Sequence, residues 1–147
     1  MMPFPSFVVL EGGALQVMPM NPDLRILGVC EGIETGLAAF AATGIPCWPC
    51  YSDFYLSTFD VHAVKDDADL LVIWADKDRS QAGERAAKKL KEAAWAAGLP
   101  CQIMLPTVPL PEGEKTVDWN DVLRFYGRNA FAKPDLDLIV KARSISA

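Results

Sequence analysis

The chain has 147 residues, of which 51% are hydrophobic and 22% are charged. This composition excludes a disordered chain and suits one domain with a buried core. The net charge of −5 argues against a nucleic-acid interface built from a broad basic surface, so contact with DNA or RNA is expected to be local. The apolar runs are too short to cross a membrane and the N-terminus lacks the basic region of a signal peptide. We therefore expect a soluble, cytoplasmic protein without a membrane partner.

The first half of the chain alternates apolar runs with turn and helix signals. Two apolar runs joined by a Gly-Gly pair predict an N-terminal β-hairpin over residues 7–18. A β-rich run then ends at Glu31, and residues of high helix propensity follow up to Gly44, a typical helix end. The predicted strand, helix and strand of this half cover residues 25–30, 34–43 and 45–51. Residues 52–68 mix polar and aromatic side chains and predict one short helix.

The second half carries the strongest strand and the clearest helix. LLVIWA at residues 70–75 is a continuous apolar run, typical of a strand buried on both faces of a sheet. Small and apolar side chains on one face predict a long helix within residues 80–98, ended by Gly98 and Pro100. A strand at 101–105, a short helix capped by Asp118 and a last helix after Pro134 complete the order. This alternation predicts an α/β fold with a Rossmann-like, mainly parallel four-stranded sheet flanked by helices.

Carboxylates directly follow two of the predicted strands. Glu31 ends one apolar run, and Asp76 and Asp78 follow another. The carboxyl ends of parallel strands meet at one edge of an open α/β sheet, where ligands collect, so we expect these side chains to lie close together. Such an oxygen-rich site suits Mg²⁺, which binds few carboxylates and keeps its other positions for water and phosphate oxygens. The residues therefore indicate phosphoryl transfer; the alternative is that these aspartates are merely solvated residues after a strand.

The spacing of Cys47 and Cys50 is that of a redox or zinc motif. A thioredoxin-type pair needs its first cysteine at a helix N-terminus, whereas the flanking residues here predict a strand and then a loop. A zinc site needs two further ligands, for which Cys30, Cys101 and His62 are the candidates. Cys30 and Cys101 lie in apolar strand patterns, where cysteine usually packs as a small hydrophobic residue. We therefore expect these cysteines to pack in the core.

Three blocks of the sequence resemble the Toprim domain, the catalytic module shared by DnaG-like primases, topoisomerases and several nucleases. VCEGIETGLAA resembles the glutamate motif of the family, VIWADKDRSQAGERAA its D-x-D motif, and VDWNDVL its third acidic motif. The blocks stand in the family's order and cover roughly residues 25–125, which is more specific than any single motif. The GGALQVM segment is similar to the lead-in of phage- and plasmid-type primases. We accordingly divide the chain into a hairpin lead-in (1–24), a Toprim catalytic domain (25–127) and a C-terminal helix or tail (128–147).

The resemblance implies a role for each carboxylate. Glu31 becomes the general acid/base, or a metal ligand that alternates with that role. Asp76 and Asp78 become ligands of Mg²⁺, for which Mn²⁺ is a substitute, and Asp118 becomes a supporting acidic residue near the metal. The residues support this chemistry independently of the resemblance. Crowded carboxylates repel one another until a cation binds, and a carboxylate with a raised pKa can shuttle a proton.

Basic side chains and glycines flank these carboxylates. Lys77, Arg79 and Arg85 are candidate contacts to substrate phosphates. Gly32 and Gly83 would allow backbone or substrate to approach closely. These positions complete the predicted substrate-binding site.

Thr35 departs from the pattern of replicative primases, which often place an aspartate four residues after the glutamate. Glu34 lies one residue earlier. Glu34 is explained equally well as an acidic residue that the helix dipole favours in the first turn of a helix and as a metal ligand. A second metal position is therefore less firmly indicated than the first.

Tryptophans pack in cores or stack on bases. Trp74 and Trp95 are expected in the core or in an interface. Trp119 lies beside Asp118 and is the tryptophan expected near a substrate.

The resemblance implies a DNA primase: Mg²⁺-dependent nucleotidyl transfer that makes an RNA primer from nucleoside triphosphates on a DNA template, in a phage- or plasmid-type replication protein. Primases of this kind work with zinc-binding or template-binding and helicase domains or proteins, so we expect such partners and a larger protein around this domain. Two alternatives stay open: a Toprim nuclease that uses the same carboxylates, and a non-catalytic nucleic-acid-binding or scaffold module. A D-x-D phosphatase is disfavoured because no later lysine motif follows Ser80.

Overall fold

The structure is a computed structural model that describes residues 14, 16–78, 80–108, 113 and 116–146. The first arm and the turn of the predicted N-terminal hairpin lie outside these residues, and the described part of its second arm forms no strand. No described helix is both long and apolar enough to traverse a lipid bilayer.

The strands are β1 Ile26–Cys30, β2 Cys47–Pro49, β3 Leu70–Trp74, β4 Lys77–Asp78, β5 Cys101–Met104 and β6 Thr116–Val117. Four of them form one parallel sheet in the order β2-β1-β3-β5. The central strands β1 and β3 are buried at every residue, as expected when helices cover both faces. β4 and β6 form a separate antiparallel pair. The predicted α/β fold with a mainly parallel four-stranded sheet is confirmed.

The α-helices are α1 Ile33–Thr43, α2 Asp53–Ser57, α3 Ala82–Ala96, α4 Trp119–Tyr126 and α5 Asp137–Ser146. α1 and α4 agree with the predicted helices to within one residue at each end, and α3 to within two, because the signals that end helices are local. Gly44, for example, ends α1 in the left-handed conformation and donates its N–H to the carbonyl of Phe40. The stretch 52–68 holds α2 and a 3₁₀ turn at Val61–Ala63.

Two hydrophobic cores lie on the two faces of the sheet. Alternate residues of β1 and β3 point to opposite faces, so Leu27 and Leu71 join one core and Ile26 and Val72 join the other. α3 covers the first core, while α1 and α4 contribute to the second. This arrangement leaves the carboxyl edge of the sheet to the loops that follow β1, β2 and β3.

The prediction that Trp119 lies near a substrate is wrong. Its side chain is 1% exposed, and its indole donates a hydrogen bond to the Met104 carbonyl at 3.1 Å. Its ring packs edge-on against Trp74 and also contacts Phe131, with ring centroids 5.1 and 4.8 Å away. The apolar face of α4 must be buried against the sheet, and this requirement outweighs the position of Trp119 beside an acidic motif.

All four cysteines are buried and free. Burial raises the pKa of the Cys50 thiol above its ordinary value, which keeps the thiol protonated, unlike a thioredoxin-type nucleophile. Within the described part of the chain, no three His, Cys, Asp or Glu side chains converge as a zinc site would require. The structure therefore agrees with packing as the role of the cysteines.

Candidate functional site

Glu31 and Asp76 lie at the carboxyl edge of the sheet. Cys30 at the end of β1 pairs in parallel with Trp74 at the end of β3, so the chain leaves both strands at the same level. The two carboxylates line an open cleft of about 320 Å³, together with Glu34 and Asp118. The cleft is completed by Gly32, Ile33, Thr35 and Tyr51. Four acidic residues from three distant segments of the sequence thus share one cleft.

The antiparallel pair β4–β6 brings the third acidic motif to this edge. Lys77 pairs with Val117, and Asp118 follows directly. Asp118 caps α4 by accepting a hydrogen bond from the Asp121 N–H at 2.8 Å, and Asp121 accepts one from the Asp118 N–H at 3.2 Å. This reciprocal capping box fixes the start of α4, so Asp118 has a structural role besides its place in the cleft.

Thr35 holds one of the carboxylates in place. Its side chain is buried, and its hydroxyl donates to Asp76 Oδ1 at 3.5 Å across 41 residues of sequence. Where replicative primases place an aspartate, this chain therefore places a neutral donor that contacts the first aspartate of the D-x-D pair. The sequence showed the departure but not this contact.

Asp53 is a carboxylate of the site that sequence reasoning missed. It is the first residue of α2, which follows β2 after a short loop. Its carboxyl group lies within hydrogen-bonding reach of the Glu31 carboxyl group. A Cβ placed on Gly83 would be 3.8 Å from both Asp53 Oδ1 and Asp78 Oδ2. The available signal was an aspartate two residues after the predicted strand at 45–51, but Asp53 lies in the mixed stretch 52–68 and belongs to none of the three acidic motifs.

Two larger cavities in the described part of the chain do not share this chemistry. One, of about 470 Å³, lies around Trp48 and contains Arg25 and Asp67. The other, of about 570 Å³, is lined mainly by apolar residues near Ile26 and Phe131. Neither gathers carboxylates from several strand ends, so the smaller cleft is the better candidate site.

A family model of the Toprim domain matches residues 26–129. The chain belongs to the Toprim family. The match contains every carboxylate of the cleft, from Glu31 to Asp118. Toprim domains act in metal-dependent processing of nucleic acids, in primases, nucleases and topoisomerases. A search of curated proteins finds no match to the sequence.

Three carboxyl groups in the cleft of this Toprim domain have raised pKa values. Burial, the hydrogen bond with Asp53 and the charge of Asp53 together raise the pKa of Glu31 to about 7. Burial and the charge of Asp118 raise the pKa of Asp76 to about 7, whereas the hydrogen bond from the Thr35 hydroxyl opposes this rise. Burial also raises the pKa of Asp118. Near neutral pH the site therefore needs either protons or a cation to offset its crowded charge.

The donor set of the Toprim cleft fits a divalent cation. Toprim domains bind such ions, typically Mg²⁺, and carboxylate oxygens are the ligands that Mg²⁺ prefers. Asp53 Oδ1 is buried without a hydrogen-bond partner in the described structure, which is the condition of an oxygen that lacks its counter-ion. As they stand, no three His, Cys, Asp or Glu side chains among the described residues converge on one point. Because a cation offsets the mutual repulsion of carboxylates, we expect Glu31, Asp76 and Asp78 to turn toward an ion when it binds.

The three basic residues predicted to contact phosphates differ in their surroundings. Lys77 is half-buried in β4, beside Asp76. Arg85 donates to the Ser80 carbonyl at 2.8 Å, so its guanidinium holds the loop that follows the D-x-D pair. Asp78 accepts a hydrogen bond from the Ser80 hydroxyl at 2.9 Å in the same loop. Arg79 lies outside the described residues.

The remaining predicted residues surround the start of two helices. Glu34 is exposed in the first turn of α1 and lines the cleft. Gly32 caps α1, and a Cβ there would meet no atom within 4 Å. Gly83 lies in the first turn of α3, where a Cβ would be 3.4 Å from the Asp76 carbonyl. The protein itself thus leaves space at Gly32, which a substrate can use.

Proposed function

We propose that this Toprim domain is the catalytic domain of a primase-type nucleotidyltransferase from a phage- or plasmid-type replication protein. It would join ribonucleotides on a DNA template. The observation that carries the proposal is the open cleft in which Glu31 lies with Asp76 and Asp118. Glu31 and Asp76 follow neighbouring strands of the parallel sheet, which is the usual placement of catalytic groups in an open α/β sheet, and Asp118 follows β6.

In this proposal, Glu31 handles the proton of the reaction. The attacking 3′-hydroxyl oxygen forms a bond to the α-phosphorus of the incoming nucleotide, and the bond from that phosphorus to pyrophosphate breaks. Glu31 has a pKa of about 7, so its ionised form can accept the hydroxyl proton near neutral pH. Asp76 and Asp78 would hold Mg²⁺, which when bound neutralises phosphate charge and orients an in-line displacement. Lys77, which stands between these two aspartates in the sequence, would contact a phosphate.

Primer synthesis is tested by incubating the protein with single-stranded DNA, labelled nucleoside triphosphates and Mg²⁺ or Mn²⁺. We expect labelled oligonucleotides that form only when nucleotides and metal are both present. Shortened DNA in reactions without nucleotides would overturn the proposal in favour of the nuclease alternative. DNA binding without either product would support a non-catalytic module. The Asp76→Asn/Asp78→Asn variant, purified in the same way, controls for contaminating enzymes.

Three exposed aromatic side chains lie close together in the sequence around the start of α2 and offer a surface on which bases can stack. Tyr51 lines the cleft and is 60% exposed. Its φ of 79° lies in the left-handed region, uncommon for a bulky residue, and its N–H donates to the Glu31 carbonyl at 2.6 Å. Phe54 and Tyr55 on α2 are also exposed, with stacked ring centroids 5.5 Å apart. Base stacking on aromatic rings is independent of charge, so it suits nucleic-acid binding by an acidic domain.

We expect Phe54→Ala/Tyr55→Ala to weaken binding of single-stranded DNA by roughly tenfold or more, because even one stacked base contributes about 1–3 kcal/mol. Fluorescence anisotropy of a labelled oligonucleotide measures the affinity. Phe125→Ala is the matched control, since Phe125 is 69% exposed but lies on α4. Equal losses in both variants, or no loss in either, would remove these rings from the nucleic-acid interface.

A further inference from the structure

We propose that Asp53, the first residue of α2, is a ligand of the divalent cation in this Toprim cleft. It would add a carboxylate to the site, which Thr35 does not. The inference rests on the metal-dependent function proposed above. It concerns a residue outside the three acidic motifs that identify the family in this sequence.

The position of Asp53 places it between the other acidic groups. Its carboxyl group is within hydrogen-bonding reach of Glu31, which follows β1. Its Oδ1 lies 3.8 Å from the point where a Gly83 Cβ would be, and Asp78 Oδ2 lies at the same distance from that point. Asp53 thus adjoins both Glu31 and the D-x-D pair. The absence of a side chain at Gly83 keeps the space between Asp53 and Asp78 open.

Asp53 is half-buried, and the shielding of its Oδ1 is not explained by helix capping. Ser52 is the N-cap of α2, and its hydroxyl accepts the hydrogen bond from the Tyr55 N–H at 3.1 Å. An aspartate in the first turn can favour a helix through the dipole, but an exposed side chain does this equally well. Asp53 Oδ1 is instead shielded from solvent and lacks a partner in the described structure. A buried carboxylate oxygen without a donor is costly, and a cation bound beside it removes that cost.

The contacts of Thr35 show why a further carboxylate matters. Thr35 is buried and donates to Asp76, so it positions a ligand without adding negative charge. Glu34, the nearest acid in the sequence, is exposed. Asp53 is the carboxylate that lies against Glu31.

Isothermal titration of Mn²⁺ into wild-type protein and Asp53→Asn tests the inference. Loss of a ligand should weaken binding roughly 10- to 100-fold, as even outer partners of metal ligands have effects of this size. Asp67→Asn, which removes an exposed carboxylate in the loop before β3, should bind as the wild type does. The Mn²⁺-induced rise in Tm, measured on the same samples, should shrink in Asp53→Asn alone. Circular dichroism of the metal-free variants establishes that each is folded.

Wild-type affinity in Asp53→Asn, with affinity lost in Asp76→Asn/Asp78→Asn, would overturn the inference and leave the proposed function standing. Weakened binding in Asp53→Asn, combined with no primer synthesis by the wild type, would support the inference while the primase proposal fails. Absence of Mn²⁺ binding to the wild type would overturn the inference.

Discussion

Replacing Asp76 and Asp78 together by asparagine is expected to lower the rate of metal-dependent primer synthesis by roughly 10³-fold or more. Asparagine keeps the size and an acceptor oxygen of each side chain but removes the negative charge that binds Mg²⁺. The contacts with the Thr35 and Ser80 hydroxyls can persist, because both need only an acceptor at these positions. Initial rates of nucleotide incorporation and a calorimetric Mg²⁺ titration measure the two effects.

Asp67→Asn is the matched control for this pair, since it removes a carboxylate from an exposed loop. It should leave both rate and metal affinity unchanged. If the double variant still binds Mg²⁺ with wild-type affinity, the metal is not at the D-x-D pair. The scaffold interpretation of the domain would then be favoured.

The metal-free protein is expected to lose stability as the pH rises from about 4 to about 7, because Glu31 and Asp76 bind protons more tightly when folded. Their pKa values of about 7 in the folded protein exceed the ordinary values of 4.5 and 3.8. In this window the folded protein binds more protons than the unfolded chain, so the free energy of unfolding falls with pH and the loss is complete above the folded pKa. For Asp76 the effect is on the order of 2–4 kcal/mol. Urea unfolding in a chelating buffer at several pH values measures it.

Asp76→Asn isolates the contribution of one group to this pH dependence. The variant should have a shallower loss of stability with pH and should be more stable than the wild type at pH 8 without metal, by roughly 1–3 kcal/mol. Mg²⁺ should stabilise the wild type at pH 8 more than it stabilises the variant. Parallel curves for the two proteins would mean that Asp76 does not carry the buried charge inferred from the structure.

The strand and helix order could be predicted because its signals are local. The runs that became β1 and β3 are apolar at nearly every position, which only strands buried on both faces require. Glu31 and Asp76 follow those runs almost directly, so a parallel sheet alone brings them to one edge. The end of α1 at Gly44 and the start of α4 at Asp118 were likewise predicted from capping residues.

Other parts of the site depend on contacts between distant residues. The carboxyl group of Asp53 reaches Glu31 because α2 begins soon after β2 and lies close to the sheet edge, whereas residues 52–68 have no clear periodicity. Trp119 was predicted beside a substrate, but burial of the apolar face of α4 decides its position.

The sequence by itself determined the α/β order, the family and the carboxylates at the ends of β1 and β3, since these follow from periodicity and from motifs of adjacent residues. Only the tertiary structure decided that Thr35 contacts Asp76 and that the β4–β6 pair brings Asp118 to the cleft. It alone also placed Asp53 against Glu31. The physical reason is that these contacts join segments far apart in the chain. Burial and strand pairing across the whole domain determine which segments meet, and no local sequence pattern encodes them.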